Sequence, residues 1–379
     1  MTSTAKADLR ITDVIAHPLR AKLPQAQVTS QGDWPALDIC VVEVRTDAGI
    51  TGWGECLARS SSVAYAAIVE RLLKPAVLGR DPLDAAALWR AMRRPLTGRT
   101  GGMQIEAIAG VDIALWDIAG KVAGLPLAKL LGGIGRTRVL AYASSINWGD
   151  DARAEAETRT AVARGFRSIK VKIGGPPAAA IRRAELIRKV AGDDLELSVD
   201  ANWAFNVDEA TLVGEALAAL RYSWFEEPIA AEDIDGYARL RARTRVRLAA
   251  GESDFTVADA RDLIATRSVG VIQPDVARSG GVSETRRIAD LADAFHVAYC
   301  PHVGWSGAIC AAASLQLAAY APNFHAFECM VFDNPLREAL LVSRAGSFQD
   351  LREGLSDVPQ GPGLGVEIDR DALARYRAS

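Results

Sequence analysis

Ser168-Ile169-Lys170-Val171-Lys172-Ile173-Gly174-Gly175 is the stretch on which the reading of this chain turns. In an extended strand alternate side chains share a face, so Lys170 and Lys172 point one way and Ile169, Val171 and Ile173 the other. Taken alone, this is a half-buried strand with a solvated lysine face, because lysine is seldom buried unless paired. The residues downstream change that reading.

Beyond Leu131-Gly132-Gly133, short β-rich runs alternate with amphipathic helical stretches, the pattern of βα units. The runs span 138–143, 167–173, 195–200, 223–226, 247–252, 270–273, 297–302 and 325–328, with helices predicted between them, for example over 207–220 and 282–295. Eight such strands predict a TIM-like α/β barrel, which places its chemistry at the carboxyl ends of its strands. Residues 134–333 are therefore expected to form a catalytic barrel.

Upstream, 9–21 and 36–45 read as strands, and Asp47-Ala48-Gly49 as a hairpin turn into Ile50-Thr51-Gly52-Trp53-Gly54-Glu55. Helical patterning follows over 63–78, 82–92 and 103–123. Residues 1–133 are thus expected to be an α+β capping domain. The polar stretch from Pro24 to Pro35 is predicted to be a loop, of a length usually kept for a function such as a lid. Gly98-Arg99-Thr100-Gly101-Gly102 is either an anion cradle ahead of a helix or a plain flexible loop, since no strand precedes it.

The 379 residues suit a barrel of about 250 residues plus a smaller unit. With 24% charged residues and a net charge of −3, there is no basic excess, and nucleic acid is not an expected partner. The first residues hold no apolar leader, and the apolar run 307–321 is broken by Ser314 and Gln316, so no membrane span and a cytoplasmic location are expected. Cys40, Cys56, Cys300, Cys310 and Cys329 have no ligand spacing and read as buried thiols.

At or just past the ends of successive strands stand Lys172, Asp200, Glu226, Glu252, Asp275, His302 and Glu328, at steps of 23 to 28 residues. Those steps match one βα unit, so the seven ionisable groups are expected to meet at one barrel mouth. Asp200, Glu226 and Glu252 would repel one another without a cation among them, and an all-oxygen set favours Mg2+ over zinc. Glu227 points to the other side of its strand and is expected to support the site from outside. Lys172 lies on one side of the triad in strand order, and Asp275 with His302 on the other. Asp275 is placed to orient the imidazole. Two proton-transfer groups opposed across a metal suit abstraction of a proton α to a carboxylate, with the metal stabilising the enediolate. Lys170 is expected to lower the pKa of Lys172 and to bind the substrate carboxylate, and Glu328, if protonated, to donate to the oxyanion. A metal-dependent hydrolase would need histidine-rich ligands, and a non-catalytic barrel would lack one of the proton-transfer positions. Neither fits as well.

Lys170-Val171-Lys172, Asp200-Ala201-Asn202, Glu226-Glu227-Pro228, Gly251-Glu252, Gln273-Pro274-Asp275 with Gly280-Gly281, His302 and Glu328 together resemble the enolase superfamily, mandelate racemase subgroup, over nearly the whole length. The resemblance implies a (β/α)7β barrel under an α+β cap, with 334–379 returning to that cap. It implies Mg2+ on Asp200, Glu226 and Glu252, opposed bases at Lys172 and the Asp275/His302 dyad, and Glu328 and Lys170 assisting the enolate. Asn202 would contact substrate or a metal water, and the loops 24–35 and 56–62 would cover the substrate. A small carboxylate substrate and a homo-oligomer are further implications. Within the subgroup the chain looks most like acid sugar dehydratases and the galactarolactone cycloisomerase, with racemisation of a 2-hydroxy acid sharing the same first step. Trp305, just after the histidine, would narrow the pocket.

Overall fold

Strands β1 (Ile11–Thr29), β2 (Gly32–Thr46) and β3 (Thr51–Cys56) form an antiparallel sheet in that order. The computed structural model describes residues 9–95, 101–343, 351 and 353–378. Within it, Pro24 to Pro35 is not the expected loop but the far end of the β1–β2 hairpin, turning at Ser30-Gln31. The pairing slips between Lys22 and Gln27, and this irregularity takes up Pro24 and Pro35, which cannot donate to a ladder. Gln27, Val28 and Thr29 then resume pairing with Trp34, Asp33 and Gly32.

Helices α1 (Ser62–Ile68) and α2 (Lys74–Val77) are joined by a π turn, and α3 (Ala85–Arg93) precedes α4 (Met103–Ala123), which spans the predicted stretch. Helix α4 packs on β2 and β3 through a second apolar cluster that includes Val42, Val44, Ile108 and Val111. Its backbone meets β3 so closely that a Cβ on Gly54 would fall 1.7 Å from the Gly110 carbonyl oxygen. Gly98, Arg99 and Thr100 of the candidate anion loop lie outside the described residues.

After a short α5 (Leu127–Leu130), eight parallel strands follow: β4 (Arg138–Ile146), β5 (Ser168–Lys172), β6 (Glu196–Asp200), β7 (Trp224–Glu226), β8 (Arg247–Ala250), β9 (Val271–Ile272), β10 (Ala298–Tyr299) and β11 (Phe327–Met330). Each pairs with its sequence neighbour up to β10, and β11 returns to β4. Backbone bonds between Tyr299 and both Asn323 and His325 close the ring. Ile169, Val171 and Ile173 pack into the main core, while Lys170 and Lys172 face inward and are 1% and 8% exposed. The solvated-lysine reading is thereby excluded. A small inner layer of Tyr142, Trp224, Ala249, Val271, Cys300 and Ala326 fills the barrel below them.

Helices alternate with the barrel strands. Among them, one over Val207–Ala219 starts with a capping box of Asn206 and Glu209, and one over Ala308–Tyr320 starts beneath the cap. There Glu55 of β3 accepts from the Gly307 amide at 2.6 Å and the Cys310 amide at 3.1 Å, so a cap carboxyl occupies a barrel helix N-terminus. The chain later returns to the cap: Arg20 donates to the Tyr376 carbonyl, and Arg370 reaches Glu43 at 2.6 Å. Among the described residues no helix is long and apolar enough to cross a membrane.

Burial pushes the Glu55 carboxyl up to about 7, against the pull of its two amide donors. The folded chain therefore keeps this proton at a pH where the unfolded chain, at the ordinary 4.5, has lost it. Stability contributed by this group is expected to fall as pH rises from about 4.5 to about 7 and to stay level above. Glu55→Gln should remove that share of the slope when denaturation midpoints are followed against pH. An unchanged slope would count against this assignment.

Candidate active site

The parallel ladder sets Lys172 beside Asp200, and Asp200 beside Glu226, so three consecutive strands deliver their last residues at one level. Glu252 follows β8 by two residues, and a parallel bridge sets Asp275 beside His302. Asp200, Glu226 and Glu252 are buried, and each presents a carboxylate oxygen within 4.8 Å of the others. Such a buried all-oxygen donor set fits a hard divalent cation.

Two ammonium groups neutralise this cluster. Lys172 Nζ donates to Asp200 Oδ2. Lys170 Nζ donates to Glu226 Oε1 at 2.5 Å, lies 3.0 Å from Glu328 Oε1 and 3.6 Å from Asp200 Oδ2. Burial opposes the charge on Lys170, but Glu226 and Glu328 outweigh it and hold the ammonium well above its usual range. Lys170 is thus enclosed by carboxylates, and in this arrangement it is not free to receive a substrate carboxylate as expected. Burial also pushes Glu226 up to about 8, with Lys170 pulling the other way. Gln273 Nε2 donates to its second oxygen at 2.6 Å.

On the opposite side, His302 Nδ1 meets Asp275 Oδ2 at 2.7 Å and its Nε2 lies 3.2 Å from Glu252 Oε2. The Ala277 amide donates to the other Asp275 oxygen at 2.8 Å, which fixes the dyad's orientation. Burial would lower the imidazole, but Glu252, Glu328 and Asp275 together raise it to about 9. A Cβ on Gly304 would sit 2.6 Å from His302 Nε2, so glycine there leaves the ring face open.

Glu328 departs from the expected protonated donor. Its Oε1 accepts from Ser144 Oγ and its Oε2 from the Val303 amide, both at 2.7 Å. Burial alone would raise its carboxyl, yet Lys170, His302 and these donors hold it far below the usual carboxylate range. It stands as a carboxylate that anchors Lys170. Glu227, at φ 41°, accepts from Trp203 Nε1 and from the Gly251 amide at 3.1 Å, and so braces the loops below the triad.

Asn202, at φ 44°, donates its amide to Asp200 Oδ1 at 2.9 Å, and its buried side-chain oxygen has no hydrogen-bond partner. Its carbonyl accepts from Gln31 Nε2 at 2.7 Å and from Ser30 Oγ at 3.0 Å, so the hairpin tip docks on the barrel mouth. Trp305, at φ 63°, lies 5.4 Å from the Trp34 ring of that hairpin and 5.8 Å from Phe332. Arg59, which sequence reasoning did not single out, reaches from the loop after β3 to within 3.4 Å of Glu252. The spacing of strand ends could not flag a residue carried by a cap loop.

A barrel mouth with a buried carboxylate triad between a lysine pair and an Asp–His dyad defines an enolase-type site. Residues 151–372 match the family profile "Enolase C-terminal domain-like", and residues 11–132 match "Mandelate racemase / muconate lactonizing enzyme, N-terminal domain". The chain belongs to this mandelate racemase / muconate lactonizing enzyme family within the enolase superfamily. It is 34% identical to D-galactarolactone cycloisomerase of Agrobacterium fabrum, over 97% of this chain and 99% of that protein. It is 35% identical to arabinonate dehydratase of Saccharolobus solfataricus, over 90% and 91%. A racemase from Streptomyces coelicolor A3(2), solved with bound magnesium, superposes with a TM-score of 0.89 at 29% identity, covering 97% of this chain and 100% of that one.

Proposed function

We propose that this chain, a homo-oligomer in the cytoplasm, dehydrates a sugar acid to a 2-keto-3-deoxy acid by removing the proton α to the carboxylate. The observation that carries this reading is the opposition of Lys172 and the Asp275/His302 dyad across the buried triad of Asp200, Glu226 and Glu252.

Asp200, Glu226 and Glu252 would hold Mg2+, which supplies Lewis-acid stabilisation of the enediolate charge. One of Lys172 and His302 accepts the α-proton, and the other faces the opposite side of the same carbon. Asp275 keeps the imidazole Nδ1 engaged, so the proton moves at Nε2. Protonated His302 then donates to the departing β-hydroxyl, water leaves, and the resulting enol becomes the 2-keto acid. Lys170 stays in place as the cation that offsets Glu226 and Glu328. Asn202 offers its unpartnered oxygen to a substrate hydroxyl. Trp305, with Trp34 and Phe332, bounds the mouth on the hairpin side.

Opening of a sugar-acid lactone by cycloisomerisation is a second reading. It shares the proton-abstraction step, and the near full-length similarity to the Agrobacterium cycloisomerase supports it. A panel of sugar acids and their lactones incubated with Mg2+ in deuterium oxide tests both. Dehydration of an acid is expected to yield a 2-keto-3-deoxy acid with loss of water, cycloisomerisation of a lactone the ring-opened 2-keto-3-deoxy acid of unchanged mass, and both deuterium at the neighbouring carbon that takes up a proton as the enol becomes the ketone. Absence of exchange with every member, while Mg2+ binds, would refute proton abstraction.

A further inference from the structure

The two bases are held by different parts of the molecule. Lys172 is set by the barrel ladder, where it pairs with Asp200 of the next strand. The cap meets that side through the hairpin tip, whose Ser30 Oγ donates to the Ala201 carbonyl at 2.8 Å. The Asp275/His302 dyad rests instead on the end of β3. Glu55, fully buried, reaches from the cap to the first turn of the Ala308–Tyr320 helix and accepts the Gly307 and Cys310 amides. Cys310 connects that contact to the dyad, because its thiol, a weak donor, lies 3.7 Å from Asp275 Oδ1. Two residues after Glu55, the Leu57 amide donates to the Ala277 carbonyl at 3.2 Å, and the Ala277 amide in turn holds Asp275 Oδ1. One short piece of the cap thus braces Asp275 from two directions.

A carboxyl that accepts two amides at a helix N-terminus fixes where the helix starts, since those amides have no partner within the helix. Without Glu55, the backbone that sets the Cys310 side chain loses its anchor, and Asp275 loses a donor. The turn over 303–306 has supports of its own. Asn334 donates to the Ser306 carbonyl at 2.8 Å, and Arg337 to the Val303 and Ser306 carbonyls. Loss of Glu55 is therefore felt at Asp275 and the helix start rather than throughout the loop. An imidazole whose Nδ1 partner has loosened no longer keeps Nε2 at the reacting carbon. We infer that Glu55 is a positioning residue that holds the Asp275/His302 dyad, and not Lys172, in the geometry for proton transfer. It acts through Cys310 and Asp275 and not on the substrate. The catalytic consequence rests on the proton-abstraction reading proposed above.

Galactonate and talonate labelled with deuterium at the α-carbon differ only in which face carries the label, so each presents it to one of the two bases. Release of the label to water, with Mg2+, is compared in the wild type, Glu55→Ala and Glu55→Gln. His302→Asn and Lys172→Ala identify the base that serves each acid. Glu55→Ala is expected to slow release to His302 by about 30-fold or more, while release to Lys172 stays within about 3-fold of wild type. Glu55→Gln keeps an acceptor oxygen for one of the two amides and should fall between wild type and Glu55→Ala. A second measurement needs no turnover. The chain has four histidines, so isotope labelling of histidine nitrogen resolves the His302 Nδ1–H proton, assigned by its loss in His302→Asn. With Mg2+ present, its resonance should broaden or vanish in Glu55→Ala. Losses that agree within about 3-fold for the two bases, or an unchanged resonance, would overturn the inference. If Glu55→Ala does not fold, the ratio of the two losses and the resonance in Glu55→Gln decide in the same way. Should the wild type release label from one acid or neither, the resonance alone decides the role of Glu55. Release from no acid of the panel would refute the reaction reading.

Discussion

Lys172→Ala is expected to lower kcat by about a hundred- to ten-thousandfold, the range that a positioned general base contributes. His302→Asn should cost a similar factor, because the amide cannot carry the proton that the imidazole moves at Nε2. A second readout separates a catalytic from a structural loss. Lys172 donates to Asp200, so its removal leaves the triad more negative, and Mg2+ affinity should rise while turnover falls. Calorimetric titration with Mg2+ alongside steady-state rates checks both. Turnover kept by both variants would refute the opposed-base assignment.

Removing the divalent cation is expected to have an effect of comparable size. Chelation should suppress α-proton exchange by about a thousandfold or more, and added Mg2+ should restore it. Asp200→Asn, which takes a charge from the donor set, should weaken the cation and with it the exchange. Exchange that survives exhaustive chelation would rule out the metal role.

The seven spaced ionisable residues were readable because a βα unit returns the chain to the same barrel rim after a nearly constant length. Period two placed Lys170 and Lys172 on one face, and only the barrel could say that this face is the inside. The hairpin end was harder, because Pro24 and Pro35 signal a break wherever they occur, and a pairing irregularity that absorbs both leaves no local trace. The charge state of Glu328 depends on Lys170, Ser144 and the Val303 amide, which lie far from it in sequence and converge only in the closed ring. Asn202, Glu227 and Trp305 all take positive φ, a conformation that bulky or charged side chains do not advertise. Their strain is held by the loops that carry the site. Arg59 shows the limit from another side, since a cap loop carries no period to count.

The bond from Arg20 to Tyr376 joins segments more than 350 residues apart. At a synthesis rate of about 5–20 residues per second, the outer edge of β1 waits on the order of tens of seconds for its partner. Through that interval the nascent amino-terminal sheet keeps an open edge, a template for pairing with another chain. The barrel, whose strands pair almost wholly with their sequence neighbours, can meanwhile assemble behind it. The ribosome thus makes the chemistry before it can secure the lid, and chaperone demand should fall on the first sixty residues.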